Sequence, residues 1–425
     1  MNVLERAECL LDAGSSGNMN FTVIAEYRGC LEANAIQGAL ACLQQQHLLL
    51  RSTLVWDGDH CHFAETAAAI EIQVLPWLDD PNGSPARGAW KPAAMAALRQ
   101  RFGGGGEPLW RVTWLTGSER GQLLLTFHHA IADGLSAMAL VQQLFDLLAS
   151  AGGIGSSGSA VDWDAHTPEL WQTFASEGQG AAAVDSLPER RDTGLSTSYV
   201  FEELSAEASS AVLAWTRQRG LRLNATLHAA FLQALVADGF LPAKTTATTV
   251  VNLRSLAEPP LPWELMRLLR VCVDTSVEVD PDSSLDQLAS ELHGELQKQV
   301  SSGSPLRALN TIAAALEDGP TPLQLWQRSW RQGGLITNLG RVPVQAHHGE
   351  LELARLFFVA NVEPIALPDQ PLAVLGALSF RDQLSLTLFH IEQQLGDARA
   401  TAVLADTKRR LLALAANDPF HQKTL

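Results

Sequence analysis

Lysine and tyrosine are scarce in this 425-residue chain, with five Lys (Lys91, Lys244, Lys298, Lys408, Lys423) and two Tyr. Lys and Arg together number 30 against 46 Asp and Glu, a formal net charge of -16. Nucleic-acid affinity rests on clustered cations against phosphates, so nucleic acid is excluded as the principal ligand. The acidity is uneven: residues 1–180 hold 9 basic and 19 acidic side chains, which makes the second half the better place for an anionic ligand. Five cysteines, an odd number without a C-x-x-C spacing, favour reduced thiols over a disulfide framework or a structural zinc site. No run approaches the roughly 18 apolar residues of a membrane span. The amino-terminal MNVLERAECLLDAG carries Glu5 and Glu8 before any apolar run, unlike a secretory signal. The expectation is a soluble cytoplasmic protein with no integral membrane segment. What the chain does have is apolar material: 46% hydrophobic against 18% charged residues supports a large buried core. At roughly 150 residues per domain, two lobes of about 200 residues are expected.

Residues 31–50 place Leu31, Ala35, Ile36, Ala39, Leu40 and Leu43 at helical spacing, which predicts an amphipathic helix. Two short strands about Asp57-Gly58 follow, a pair that tolerates positive φ in hairpins. Strands are predicted over 109–115 and 121–127, the second running through His128-His129 into a helix from Leu135. The Gly- and Ser-rich 149–160 and the polar 177–198 read as loop and linker. Beyond them, helices over 205–219, 224–237, 285–302, 305–317 and 398–415 interleave with strands over 245–253, 333–339, 353–362, 373–380 and 383–391. Such interleaving makes the class α/β or α+β with mixed sheets. The expected division is an N-terminal lobe 1–180, a linker 181–198 and a C-terminal lobe 199–425.

The string His128-His129-Ala130-Ile131-Ala132-Asp133-Gly134 falls where a strand ends and a helix begins, a position from which a rigid scaffold presents side chains to a cleft. From this chain's composition, H-H-x-x-x-D-G arises by chance roughly once in a thousand chains of this length, so the motif is specific.

HHAIADG resembles the HHxxxDG signature of the chloramphenicol acetyltransferase-like superfamily. That superfamily includes nonribosomal peptide condensation domains, polyketide-associated acyltransferases, wax ester synthases and alcohol acetyltransferases. Other stretches are similar in the same order. Gln46-His47-Leu48-Leu49-Leu50-Arg51 resembles the family's RHPLLR segment, Pro108-Leu109-Trp110 its PLW motif, and Thr337-Asn338-Leu339-Gly340 its late SNLG strand. Leu48 stands where Pro is usual, and in Asn224-Ala225-Thr226 an Ala replaces the Asp of the wax ester synthases' Asn-Asp pair. The look is closest to polyketide-associated and alcohol acyltransferases. The resemblance implies two lobes, each a mixed β-sheet flanked by helices, with the active-site tunnel between them. It implies no bound cofactor; acyl-CoA or a phosphopantetheine-linked acyl carrier is the co-substrate.

The chemistry so implied needs a base. A hydroxyl or amine attacking a thioester becomes strongly acidic only as the new bond forms, and imidazole, near pKa 6.5, suits the proton transfer. The resemblance assigns the base to His129. Strand alternation turns His128 to the opposite face, as structural support. Asp133 is expected to pair with an Arg and hold the loop, Arg254 being the candidate partner. Gly134 leaves room for close approach and offers its N–H to a developing oxyanion. Trp110, Thr337 and Asn338 are expected to line the channel. No Ser or Cys stands in a nucleophile elbow, so direct transfer is preferred over an acyl-enzyme.

Other clusters read more plainly. His347-His348 precedes a strand and reads as surface, and His60-Cys61-His62 as one strand of a hairpin rather than metal ligands. Arg328, Arg331, Arg341, Arg267 and Arg270 form the dense cationic set, either solvated surface or a landing site for the phosphate of a carrier's phosphopantetheine or of coenzyme A. The expected function is transfer of an acyl group from an acyl or peptidyl carrier protein, or from CoA, to a small-molecule alcohol, in secondary-metabolite or lipid biosynthesis. The alternatives are a stand-alone condensation enzyme forming an amide with an amine acceptor, and an inactive scaffold that binds carrier proteins. A chain without an attached carrier domain favours the first, and an intact HHxxxDG argues against the scaffold.

Overall fold

The computed structural model of the protein describes residues 1–15, 18–58, 60–77, 90–102, 106–150 and 193–416. The loop and linker over 151–192 and the end of the chain beyond 416 lie outside the described residues. In chain order the first half runs α1 (Val3–Gly14), β1 (Asn20–Arg28), α2 (Ala33–Gln46), the hairpin β2 (Ser52–Asp57) and β3 (His60–Glu65), β4 (Ile72–Pro76), α3 (Trp90–Arg99), β5 (Trp110–Thr116), β6 (Arg120–His128) and α4 (Gly134–Ala149). The second half runs β7 (Thr197–Glu203), α5 (Ala206–Gln218), α6 (Leu223–Ala237), β8 (Lys244–Asn252), β9 (Arg270–Glu278), α7 (Leu285–Ser301), α8 (Ser304–Glu317) and α9 (Pro322–Gln327). It ends with β10 (Gly333–Arg341), β11 (His347–His348), β12 (Leu351–Ala360), β13 (Leu372–Phe380), β14 (Gln383–Ile391) and α10 (Asp397–Ala416).

Two six-stranded mixed sheets organise these elements, in the orders β11-β12-β1-β6-β5-β4 and β7-β14-β13-β10-β8-β9. In the first, β1 runs antiparallel to both β6 and β12, and β4 runs parallel to β5. In the second, β10 lies parallel to β8 and β13. The expected class, two mixed sheets flanked by helices, is what the chain adopts. The division by chain position is crossed in one place: β11 and β12, from the second half, complete the first sheet through the Phe21–Ala360 register of β1. Thr197 and Ser198, assigned to the linker, already pair with Ile391 and His390 as the start of β7.

Aromatic side chains join the two sheets. Trp90 of α3 stacks on Tyr199 of β7 at 5.1 Å between centroids and meets Phe357 of β12 edge-on at 4.6 Å. Phe201 closes the cluster against Phe357 at 4.7 Å. Aromatic pairs in these geometries add about 0.5–1.5 kcal/mol beyond the area they bury, so the seam is a firm contact between the halves.

α1 lies in a stretch the sequence reading left without an element. It is fixed by a reciprocal cap: the Asn2 side chain accepts from the Glu5 amide at 2.9 Å, and the Glu5 carboxylate accepts from the Asn2 amide at 2.6 Å. His348 also corrects the reading of His347-His348 as surface. Only His347 is exposed; His348 is buried, hydrogen-bonded through Nδ1 to Asp146 at 2.9 Å and through Nε2 to the Gln345 carbonyl at 3.0 Å.

Candidate active site

The turn from β6 into α4 delivers the HHxxxDG residues. The His128 amide donates to the Leu109 carbonyl at 2.9 Å and the His129 amide to the Met19 carbonyl at 2.7 Å, which anchors both residues to neighbouring chain. The two rings then part. His128 is buried; its Nδ1 accepts from the Ala130 amide at 3.1 Å, and Nε2 lies 3.8 Å from Asp12 Oδ1. Burial alone would raise the Asp12 carboxyl, but His128, Arg101 and the Met19 amide hold it below the usual carboxylate range. Asp12 was not foreseen, because it sits 116 residues before its partner and carries no motif.

His129 lines a cavity of about 740 Å³ between the two sheets, within the range of small-molecule sites. Its Nδ1 stands 2.9 Å from the Ala132 carbonyl oxygen. A carbonyl only accepts, so Nδ1 carries the proton and Nε2 keeps its lone pair. Burial is the main cause that lowers the His129 pKa below its ordinary value, reinforced by the Arg270 cation and opposed by Glu8, the Ala132 carbonyl and Asp133. The ring is therefore neutral at physiological pH.

Asp133 caps α4: Oδ1 accepts from the Ser136 amide at 3.0 Å and from Ser136 Oγ at 2.8 Å. Oδ2 accepts from Arg254 Nη1 at 2.6 Å and from the Leu269 amide at 3.0 Å. Burial pushes this carboxyl up, but Arg254 and Ser136 outweigh it and leave the pKa below the usual range. Arg254, just after β8, also donates to the Leu265 carbonyl at 2.8 Å. Asp133 thus sits in a buried pair that joins the two halves, four residues after His129.

Gly134, Thr337 and Asn338 line the same cavity. A Cβ built on Gly134 would lie 2.7 Å from Leu339 Cδ2, so the glycine lets β10 approach the start of α4. The Gly134 N–H belongs to the first turn of α4, where backbone donors have no partner within the helix. Trp110 corrects the expectation that it lines the channel. Its indole is buried, stacked on Phe127 at 5.9 Å, and its Nε1 donates to the Leu50 carbonyl at 2.8 Å. Phe127 in turn stacks on Phe21 at 5.4 Å, and Phe21 packs against His129 at 4.8 Å. Trp110 stands two rings behind the cavity wall.

The cationic set divides. Arg267 bonds Glu5 at 3.0 Å and Arg270 bonds Glu8 at 2.6 Å, so β9 and the segment before it are tied to α1. Arg341 is exposed and outside the cavity, 3.5 Å from Asp382. Arg328 and Arg331 stand at the cavity; Arg331 lies 3.3 Å from Asp274, and Arg328 has no ion-pair partner among the described residues. Glu8 also lines the cavity and was missed as a site residue, while Arg270, named in the cationic set, lines it beside Glu8. The i, i+3 spacing of Glu5 and Glu8 was the available signal.

Comparison with known proteins agrees with this architecture. The Condensation domain family matches residues 10–157, and the family described as phthiocerol/phthiodiolone dimycocerosyl transferase C-terminus matches residues 197–389. A nonribosomal peptide synthetase of Curvularia clavata is 30% identical over 143 residues, 33% of this chain and 1% of that protein. A cyclosporin synthetase of Tolypocladium inflatum is 32% identical over 130 residues, 29% of this chain and 1% of that protein. The chain thus spans only a small part of the curated relatives it matches. Among solved structures, polyketide synthase associated protein 5 from Mycobacterium tuberculosis superposes with a TM-score of 0.67 at 18% identity, covering 97% of this chain and 96% of the other. A trichothecene 15-O-acetyltransferase from Fusarium sporotrichioides gives 0.66 at 15% identity over 96% and 94%, and the first condensation domain of the CDA synthetase gives 0.63 at 14% over 96% and 93%. The chain shares the two-sheet fold of these structures, its first half matching the Condensation domain model and its second half the dimycocerosyl transferase C-terminus model.

Proposed function

We propose that this protein is an acyltransferase that moves an acyl group from a thioester carrier, an acyl carrier protein or coenzyme A, to an alcohol, forming an ester, with His129 as general base. One observation carries the reading: a neutral imidazole whose Nδ1–H is tied to the Ala132 carbonyl, leaving Nε2 for an inter-lobe cavity. The acceptor hydroxyl gives its proton to Nε2 as its oxygen bonds to the thioester carbon. The C–S bond then breaks, and the proton passes from Nε2 to the departing thiolate. Oriented base catalysis of this kind contributes about 10²–10⁴-fold. Asp133 and Arg254 fix the turn that carries the ring, and the Gly134 amide at the positive end of α4 is the candidate donor to the tetrahedral oxyanion. Thr337 and Asn338 flank the reacting groups. The setting is a cytoplasmic biosynthetic pathway with a carrier protein or CoA and a small-molecule acceptor as partners; among the described residues no helix is long and apolar enough to cross a membrane.

Incubation of the purified protein with acyl thioesters and a panel of alcohols and amines, with products identified by mass spectrometry, tests the assignment. Esters are expected. His129→Ala should lose about 10²–10⁴-fold in rate while keeping its fold, and retained turnover would remove the base from this scheme. A second reading, amide formation on a carrier-bound amine, is favoured by the match of residues 10–157 to condensation domains. Products formed only from the amines would select it.

A further inference from the structure

One wall of the cavity is built by two helices that face each other. On α1, Leu4, Ala7, Glu8 and Leu11 line the cavity, and on α8, Ala308, Thr311, Ile312 and Ala315 do so. Both sets follow i, i+3, i+4, i+7, one stripe of a helix. Glu8 is the sole charge among these eight, and Arg270 neutralises it at 2.6 Å. Three of the eight are alanine, where larger residues would narrow the space.

The stripe has a direction. At the carboxyl end of α1, Asp12 accepts from the Met19 amide at 2.8 Å, and the Met19 carbonyl takes the His129 amide, so this end adjoins the imidazole. From Leu11 back to Leu4 the helix rises about 10 Å, leading apolar surface away from His129. The same end of α1 abuts α9: a Cβ on Gly14 would fall 2.2 Å from the Pro322 carbonyl. Arg328, just after α9, adds an exposed guanidinium without an ion-pair partner among the described residues to the cavity's edge. An apolar wall and a cationic edge meeting at an imidazole match a ligand that is anionic at one end, apolar at the other, and reactive between.

We infer that the acyl group has an apolar chain that lies along the α1–α8 wall, its bulk limited by Ala7, Ala308 and Ala315. This rests on the transferase reading above and names the donor's substrate class. The ligand shares one chemistry, a phosphopantetheine thioester, whether presented by CoA or by a carrier protein.

The test reads binding, so it is separable from turnover. Calorimetric titration of the His129→Ala protein with C2, C8 and C14 acyl-CoAs should show affinity rising with length, by up to about fourfold per methylene buried. Matching acyl pantetheines, which lack the phosphates, separate what the chain contributes from what the anionic end contributes. Ala308→Leu and Ala315→Phe should bring the C14 affinity down towards that of C2 while leaving C2 unchanged. These positions are partly exposed, and retention of C2 binding verifies that each variant folds. Equal affinity at all lengths, absence of binding by both the CoA and the pantetheine thioesters, or unchanged C14 binding in both variants would overturn the inference. Ester formation from short acyl donors would in that case still support the transferase reading.

Discussion

Arg254 and Asp133, 121 residues apart in the chain, meet at 2.6 Å with both side chains almost wholly buried. The pair joins the N-cap of α4 in one half to the end of β8 in the other. Its two charges are stabilised by more than each other: Asp133 receives the Leu269 amide and Ser136, and Arg254 reaches the Leu265 carbonyl. Asp133→Ala would strand a buried guanidinium, at a cost of about 3–5 kcal/mol. Asp133→Ala combined with Arg254→Met, which removes both charges, should recover part of that loss. Urea unfolding midpoints of the three proteins decide it; a single variant as stable as the wild type would show that the pair contributes nothing to holding the halves together.

The pH dependence of turnover bears on Arg270. A base works deprotonated, so the acid limb of the rate profile follows the His129 pKa, which burial and then Arg270 lower. Arg270→Gln removes the cation and leaves Glu8, which favours imidazolium. The acid limb should therefore move to higher pH. Burial remains the larger cause, so the shift is partial. An unmoved limb in kcat against pH would mean that Arg270 does not act on the base.

How much of this was legible in advance depends on how local each signal is. The seven-residue motif set His129 and Asp133 at a strand-to-helix turn because strand periodicity, the Asp133 cap and the helix follow one another directly in the chain. Arg254 was within reach because it follows a clear strand. Glu8, Asp12 and the pairing of Arg270 with Glu8 were not, since each acts through a partner that tertiary folding brings close. β12 reads as a strand from LARLFFVA, but nothing local says that it crosses to pair with β1 rather than β13. Trp110 was misplaced for a related reason. Alternation along β5 settles which face its ring takes, while Phe127 and Phe21, on β6 and β1, decide how far that ring stands from the cavity.

Gly134 offers a test of crowding separate from charge. Its φ lies in the helical region, so Ala there carries no backbone strain and favours the helix. The added methyl would nevertheless come within 2.7 Å of Leu339 Cδ2 and push that side chain towards the cavity. Gly134→Ala should keep or slightly raise the melting temperature while kcat/KM falls. Adding Leu339→Ala should restore much of the activity by making room for the methyl. A double variant no better than the single would place the loss in the backbone N–H rather than in space.

His228 makes the stability of the C-terminal half depend on pH. It lies in the core of α6, with Nε2–H donating to the Gly334 carbonyl at 3.0 Å, and burial pulls its pKa from 6.5 down to about 4. Above pH 6.5 the ring is neutral in both folded and unfolded chains, and the hydrogen bond contributes in full. Between pH 6.5 and about 4 the unfolded chain takes up a proton that the folded chain refuses, so stability falls as the pH falls. The total over that window is about 3 kcal/mol, the shift multiplied by 1.36 kcal/mol per unit. His129, lowered by burial as well, adds a slope of the same sign, so the wild type alone cannot isolate either ring. His228→Gln removes one titrating group while keeping a side-chain amide able to reach the Gly334 carbonyl. The variant should be less stable than the wild type near pH 7, and the two stability curves should converge towards pH 4. Curves that stay parallel from pH 7 to pH 4 in urea titrations would show that His228 takes up its proton equally in both states, against the burial described here.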